Sequence, residues 1–182
     1  MIKITSLVFL LLFWLPQVCE STNYSIEARS AAFCPLSSRF QKVYGDVHPC
    51  YELEASITFC NGFGVWFNID ELYTSKRMRG CDRSTLNVLT FSFGPKYVHS
   101  FCCNLNGYAG IGLGIAWGRV HNHHINKEYD TSAGVVVKVG ANYFFTQSCF
   151  LNIFCDYNYQ PTFRNCVDIG GFRPGVGIGY QF

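Results

Sequence analysis

Residues 170–182 read GGFRPGVGIGYQF. In this stretch Phe172, Pro174, Val176, Ile178, Tyr180 and Phe182 alternate with Gly171, Arg173, Gly175, Gly177, Gly179 and Gln181. Neighbouring side chains of a β-strand point to opposite faces, so the stretch is a strand with one apolar face and one face of glycine and polar groups. The same alternation recurs upstream. Tyr51, Leu53, Ala55, Ile57 and Phe59 oppose Glu52, Glu54, Ser56 and Thr58, and Leu105, Ala109, Ile111, Leu113, Ile115 and Trp117 oppose Asn106, Tyr108, Gly110, Gly112 and Gly114. Working outward from the last strand, the pattern predicts eight: residues 24–33, 51–59, 64–74, 85–97, 104–119, 134–145, 150–160 and 170–182. Asn61-Gly62 is the strongest hairpin signal, because both residue types tolerate a positive φ. Connections after the odd-numbered strands read as longer or more polar (residues 35–48, the basic stretch after 74, residues 121–132), and those after the even-numbered ones as short.

A chain of 182 residues fits one domain. Only 14% of residues are charged and 17% are aromatic, whereas a soluble domain is about a quarter charged. Residues 1–21 have the form of a secretory signal: Lys3, an apolar run over residues 7–15, Pro16, and cleavage expected after Ser21. Residues 22–182 are then the mature domain. Val18 stands before Cys19 where a lipid-anchored cysteine wants a small residue, so Cys19 is not read as an anchor. No later apolar run approaches the ~20 residues of a membrane-spanning helix; strands disperse apolar residues in the way seen here. Removing the signal takes one charge of each sign, Lys3 and Glu20, and leaves a net +2, too small to argue for nucleic acid.

Alternation alone does not say which face is wet, since a soluble secreted ligand-binding barrel packs its apolar side inward. The second face decides. A face turned to water is rich in Lys, Glu and Thr; this one carries Gly, Asn, Ser and scattered charges, as suits the crowded lumen of an eight-stranded barrel. Its charges, Glu27, Glu52, Glu54, Asp70 and Asp156 against Arg29, Lys96, Lys138 and Arg173, nearly balance, which pairing across a lumen requires. On the apolar face Tyr24, Tyr51, Tyr97, Trp117, Tyr143, Tyr157, Tyr159 and Tyr180 fall toward strand ends, where an aromatic girdle meets the lipid–water boundary. Glu71 is the blemish on that face and is expected near head groups.

The cleanly alternating final strand, the terminal Phe182 and the long/short asymmetry of the connections resemble the small eight-stranded bacterial outer-membrane β-barrels, the opacity-protein and outer-membrane-protein-A-like group. The resemblance covers essentially the whole mature chain. It implies an all-β, up-and-down antiparallel transmembrane barrel with surface-exposed loops and both mature termini periplasmic. It implies that Tyr180 and Phe182 belong to the signal read by the barrel-insertion machinery. The implied role is structural or surface-interacting, adhesin-like, with a plugged lumen; a narrow passive pore is the alternative.

Ten cysteines are unusual for such a barrel, and secretion puts them in an oxidising space. Cys34 and Cys50 flank the first long connection and are candidates for a bridge across it. Cys81 and Cys166 are expected in other outer loops, and Cys60, Cys102, Cys103 and Cys149 at periplasmic turns, where they can bond neighbouring envelope proteins. That would resemble the cysteine-rich envelopes of some obligate intracellular bacteria; the bland reading is free, inert thiols. Cys155 is placed on the lipid face. Lys76, Arg77, Arg79 and Arg83 form a basic outer patch suited to lipopolysaccharide phosphates or an acidic glycan, or simply a solvated loop tip. No enzyme, cofactor or metal is expected. His121, His123 and His124 read as a polar loop rather than ligands, His99 and Ser100 are adjacent and point to opposite faces, and Gly110, Gly112 and Gly114 lie inside a strand with no helix to follow.

Overall fold

A computed structural model describes residues 22–77, 83–122, 125–160 and 169–182. The expected signal segment 1–21, with Cys19, and also Arg79, Cys81, His123, His124 and Cys166, lie outside the described residues. Eight strands are described: β1 (Asn23–Pro35), β2 (His48–Thr58), β3 (Phe63–Arg77), β4 (Arg83–Cys102), β5 (Leu105–Asn122), β6 (Ile125–Phe144), β7 (Cys149–Tyr159) and β8 (Gly171–Gln181). They pair antiparallel in chain order, and β8 returns to β1 to close the barrel. The seam runs from Ser25 opposite Gln181 to Pro35 opposite Gly171.

The faces sort as the alternation predicts. Val176, Ile178 and Phe182 are 59%, 56% and 67% exposed, while Lys138 and Arg173 are 2% and 3% exposed. The sheet therefore wears its apolar side outward all the way round, with Leu53, Phe67, Phe93, Leu113, Val139 and Ile153 continuing the band. Glu71 lies on this outer face, opposite Tyr51 on β2 and Leu89 on β4, with Trp117 next along the same row. It accepts a hydrogen bond from Asn87 Nδ2 at 3.0 Å. A carboxylate among tyrosine and tryptophan is at the level of the girdle, where it can reach water.

Three connections differ from expectation. Residues 121–132, expected as a loop, lie mostly in β5 and β6, which pair as far as Asn122 opposite Ile125. Likewise β3 and β4 pair to Arg77 opposite Arg83. β3 to β6 are 15 to 20 residues long against 11 to 13 for the other strands, and a tilted transmembrane strand needs ~9–11. The excess carries the ladder beyond the apolar band. Polar composition there did not mean irregular backbone, because it only correlates with loops.

Residues 35–48, also expected as a polar loop, contain a helix, α1 (Ser38–Tyr44), with Phe40 and Tyr44 buried. Phe40, Val43 and Tyr44 stand at i, i+3 and i+4, one face of a helix. Gly45 ends it, with φ 112° and its N–H on Gln41 O at 2.9 Å. The Phe40 ring meets those of Phe33 and His48 at 5.7 and 5.6 Å, so α1 folds over the barrel mouth. At the other end the Asn61-Gly62 turn forms as read. Gly62 takes φ 82°, donates to Phe59 O at 2.9 Å and accepts from Val98 N–H at 2.7 Å.

Eight strands leave an interior only as wide as its side chains, so large inward residues need small neighbours. Gly179 faces the Phe150 ring, and any Cβ there would strike it. Gly179→Val is expected to cost about 1–3 kcal/mol, whereas Ile178→Leu on the outward face is close to neutral. Urea unfolding of the two variants refolded into detergent micelles measures this, and an unchanged midpoint for Gly179→Val would remove the crowding argument.

Candidate functional site

All nine charges that the pattern places on the inner face are buried inside the barrel, and period two puts them there. Glu27 and Arg29 come from β1, Glu52 and Glu54 from β2, Asp70 from β3, Lys96 from β4, Lys138 from β6, Asp156 from β7 and Arg173 from β8. Two neighbouring clusters form. In one, Arg29 and Lys138 share two carboxylates. Glu54 Oε2 is 2.6 Å from both Arg29 Nη1 and Lys138 Nζ, and Asp156 Oδ2 is 3.1 Å from Arg29 Nη2 and 3.2 Å from Lys138 Nζ. In the other, Arg173 Nη1 meets Asp70 Oδ2 at 2.8 Å and Glu52 Oε1 at 4.0 Å. Arg29 also reaches Glu52 at 3.3 Å and Glu27 at 3.5 Å, which joins the clusters.

Aromatic faces complete the packing. The Arg29 guanidinium lies 3.4 Å from the Phe154 ring centre, and Lys138 Nζ lies 4.4 Å from that of Trp66. Cations over ring faces gain from the ring quadrupole most where water is excluded. Trp66 is itself fully buried and donates Nε1–H to Pro95 O at 3.2 Å. Sequence reasoning located the charges but not these aromatic partners, although Trp66, Tyr108 and Phe154 share the parity of the inner face.

The two ends of the lumen differ. Under α1 the interior is apolar: Phe33, Cys50, Leu72, Leu86, Val88 and Ile169 form one buried cluster with Phe40 and Tyr44. This seal was missed too, yet Leu86 and Val88 are in phase with Thr90 and Ser92, and Leu72 with Asp70. At the opposite end the lumen opens into a cavity of about 620 Å³ whose lining includes Lys96, Asn106 and Asn142.

The bridge between Cys34 and Cys50 does not form. Neither Cys34 nor Cys50 is in a disulfide. Cys50 points into the lumen opposite Ala31, and Cys34 is three positions further along β1 on the alternate face, so the two sulfurs project to opposite sides of the sheet. Cys60, Cys102 and Cys103 are exposed at the open end, Cys149 is half-buried there, and Cys155 is exposed on the outer face opposite Val139 and Pro174. Of the basic patch, the β3–β4 register sets Lys76 opposite Ser84 and Arg77 opposite Arg83 at the hairpin end. His99 and Ser100 are neighbours on β4, with the His99 ring 5.1 Å from that of Phe101 and Ser100 lining the cavity. Among the described residues no group of three or more His, Cys, Asp and Glu is placed to hold a metal ion. Tyr180 and Phe182 are both exposed on the outer face, their rings 5.0 Å apart.

Solved structures share this architecture. Neisserial surface protein A (NspA) superposes with a TM-score of 0.61 at 17% identity, covering 90% of this chain and 100% of that one. The N-terminal β-barrel domain of Pseudomonas aeruginosa OprF gives 0.58 at 16% identity, covering 88% and 97%. Ail, the attachment invasion locus protein of Yersinia pestis, in complex with the heparin analogue sucrose octasulfate, gives 0.57 at 14% identity, covering 88% and 97%. No protein-family model matches the chain, and no curated protein does. At these identities the shared property is the fold, and the fold is that of the small eight-stranded outer-membrane β-barrels.

Proposed function

We propose that the mature chain is an integral protein of a bacterial outer membrane with a structural and surface-interacting, non-catalytic role, its lumen closed to solute. The observation that carries this reading is the inverted barrel: a continuous apolar band outside and a paired ionic core within. An apolar surface of this extent is not stable in water. A closed ladder, in contrast, leaves no backbone group unpaired in lipid. The tight Asn61-Gly62 turn lies at the end of the barrel that also holds Asn23 and Gln181, where Phe182 N–H meets Tyr24 O at 2.8 Å. That end faces the periplasm in this reading, with Tyr180 and Phe182 offered to the insertion machinery, and α1 and the β3–β6 extension face outward.

The narrow pore is the weaker reading. A solute would have to part Lys138 from Glu54 and Asp156, at about 3–5 kcal/mol for a buried pair broken by loss of one partner, and then pass the apolar seal. The protein is expected in the outer-membrane fraction, to change gel mobility on boiling, and to give no stepwise current in planar bilayers. Recovery from the aqueous fraction would end the membrane reading, and regular conductance steps would end the closed lumen.

For the outward end we propose an anionic partner, lipopolysaccharide phosphate or an acidic glycan, held by Lys76, Arg77, Arg79 and Arg83. The hairpin register brings two of these directly opposite each other, and the similar fold of Ail is seen with a sulfated heparin analogue. Replacing all four by glutamine is expected to abolish retention on a heparin column at physiological salt, and retention at an unchanged salt concentration would remove this role.

At the periplasmic end the exposed thiols of Cys60, Cys102 and Cys103 are proposed to bond neighbouring envelope proteins. Non-reducing gels of intact cells should then show high-mass bands that collapse with reductant. A single monomer band without reductant would leave these thiols without that role.

A further inference from the structure

The cavity at the end of the barrel opposite α1 carries Cys60 and Cys103 at its lining, but the rest of that lining has no part in the role proposed above and is selective in its chemistry. At its floor Lys96 Nζ donates to Ser56 Oγ at 2.6 Å and stands 3.8 Å from Glu54 Oε1. An ammonium carries three donors, so this lysine keeps capacity for another acceptor. The wall carries carboxamides from four strands: Asn23 of β1, Asn106 of β5, Asn142 of β6 and Gln181 of β8. The register makes part of this a continuous row, with Asn106 opposite Asn142 and Asn142 opposite Asn152. Asn152 is held by the Tyr108 hydroxyl at 2.9 Å, whereas Asn142 Oδ1 is buried with no hydrogen-bond partner among the described residues. Phe59, Phe144 and Phe150 add apolar surface, and no Asp or Glu is among the lining residues.

Each feature excludes a ligand class. An apolar ligand would leave the carboxamides unpaired, at about 1–3 kcal/mol for each group so stranded. A cation would meet the Lys96 ammonium, already set against Glu54, and no Asp or Glu among the lining residues. Carboxamides both donate and accept, which matches a ligand dense in hydroxyls, each of which does the same. The volume, about 620 Å³, is in the ordinary range of small-molecule sites, roughly 300–1,000 Å³. We propose that this cup binds a carboxylated saccharide, its hydroxyls on the carboxamide wall, its C–H face on the phenylalanines and its carboxylate on Lys96. The inference rests on the proposed orientation only in making the ligand a periplasmic one.

The test uses the full chain refolded into detergent micelles and shown by its gel mobility before and after boiling to have closed its barrel. Glucuronate, glucose and glucosamine are titrated by calorimetry or NMR. Glucuronate should saturate at least tenfold more tightly than glucose, with glucosamine weakest. Lys96→Gln should erase the preference for glucuronate. Asn106→Leu, at a half-buried position outside the ionic core, should weaken both glucuronate and glucose at least fivefold, which keeps the test alive should Lys96→Gln fail to fold. Bound glucuronate should also slow alkylation of Cys60, which lines the cup, and not of Cys102, which does not.

Equal affinity for glucuronate and glucosamine, absence of saturation, or unaltered binding in the folded variants would overturn the proposal. Equal competition by acetate would do so as well, since it would reduce the cup to a plain anion site. A chain that fractionates as soluble yet still saturates with glucuronate would keep this inference and lose the membrane one.

Discussion

Closure of the hydrogen-bond ladder between β1 and β8 is the constraint from which the rest of the molecule follows. A hydrocarbon medium offers no partner to an unpaired N–H or C=O, so a sheet enters it only when the last strand returns to the first. Once the sheet closes, its two faces cease to be equivalent. One becomes the whole outer surface and the other a narrow interior. Period two then distributes the chemistry: every second residue must suit lipid and every residue between must fit the lumen. A slip of one residue anywhere would carry Glu54 or Lys138 outward and Leu53 or Val139 inward. The apolar band and the ionic core thus each make the other's register obligatory.

The interior meets its constraint by alternating bulk. Trp66, Tyr108, Phe150 and Phe154 are inward, and in so narrow a barrel they fit because the strands facing them carry glycine. Charges fill the remaining width and are retained in pairs, since a lone buried charge costs several kcal/mol while a matched cluster does not. Five carboxylates against four cations is near balance, and Arg29 and Lys138 are each spent on more than one carboxylate. Such a network gains little net stability over an apolar filling of the same volume. What it adds here is a register marker, because only one alignment of β1, β2, β6 and β7 brings Arg29, Glu54, Lys138 and Asp156 together.

Much of this was legible in the residues alone, for a physical reason: a face exposed all the way round leaves an unbroken period-two signal. Strand number and the grouping of all nine charges on one face follow from that periodicity, while the choice of inner face came from the composition of that face and the up-and-down order from the resemblance to outer-membrane barrels. The same logic failed where the periodicity stops meaning lipid. β5 and β6 go on pairing past the point where the alternation stops, and their pattern there could not be told from a loop. Helix α1 was hidden for a different reason. Seven residues give less than two full turns of period, and Phe40 and Tyr44 are buried by the barrel mouth rather than by an amphipathic surface of their own. The cysteine pair flanking that helix was misread because closeness in sequence said nothing of parity. Cys50 and Cys34 differ by an even number, but the helix between them breaks the count, and the register puts them on opposite faces.

The asymmetry of the two ends says more about function than the barrel does. A lumen whose only task was to fill space would have no reason to be apolar under α1 and rich in carboxamides at the other mouth. Under α1 the interior is packed with Phe33, Phe40, Leu72 and Ile169, and the ionic core lies behind them. The other mouth, by contrast, is left roomy and polar, its wall built from residues on strands distant in sequence, so that it exists only once closure is complete. Such a form, closed at one mouth and open at the other, is what the proposed closed lumen requires. In the proposed orientation the extended β3–β6 sheet meets the outside and a small ligand enters from the side of the termini, so the two surfaces can take different partners.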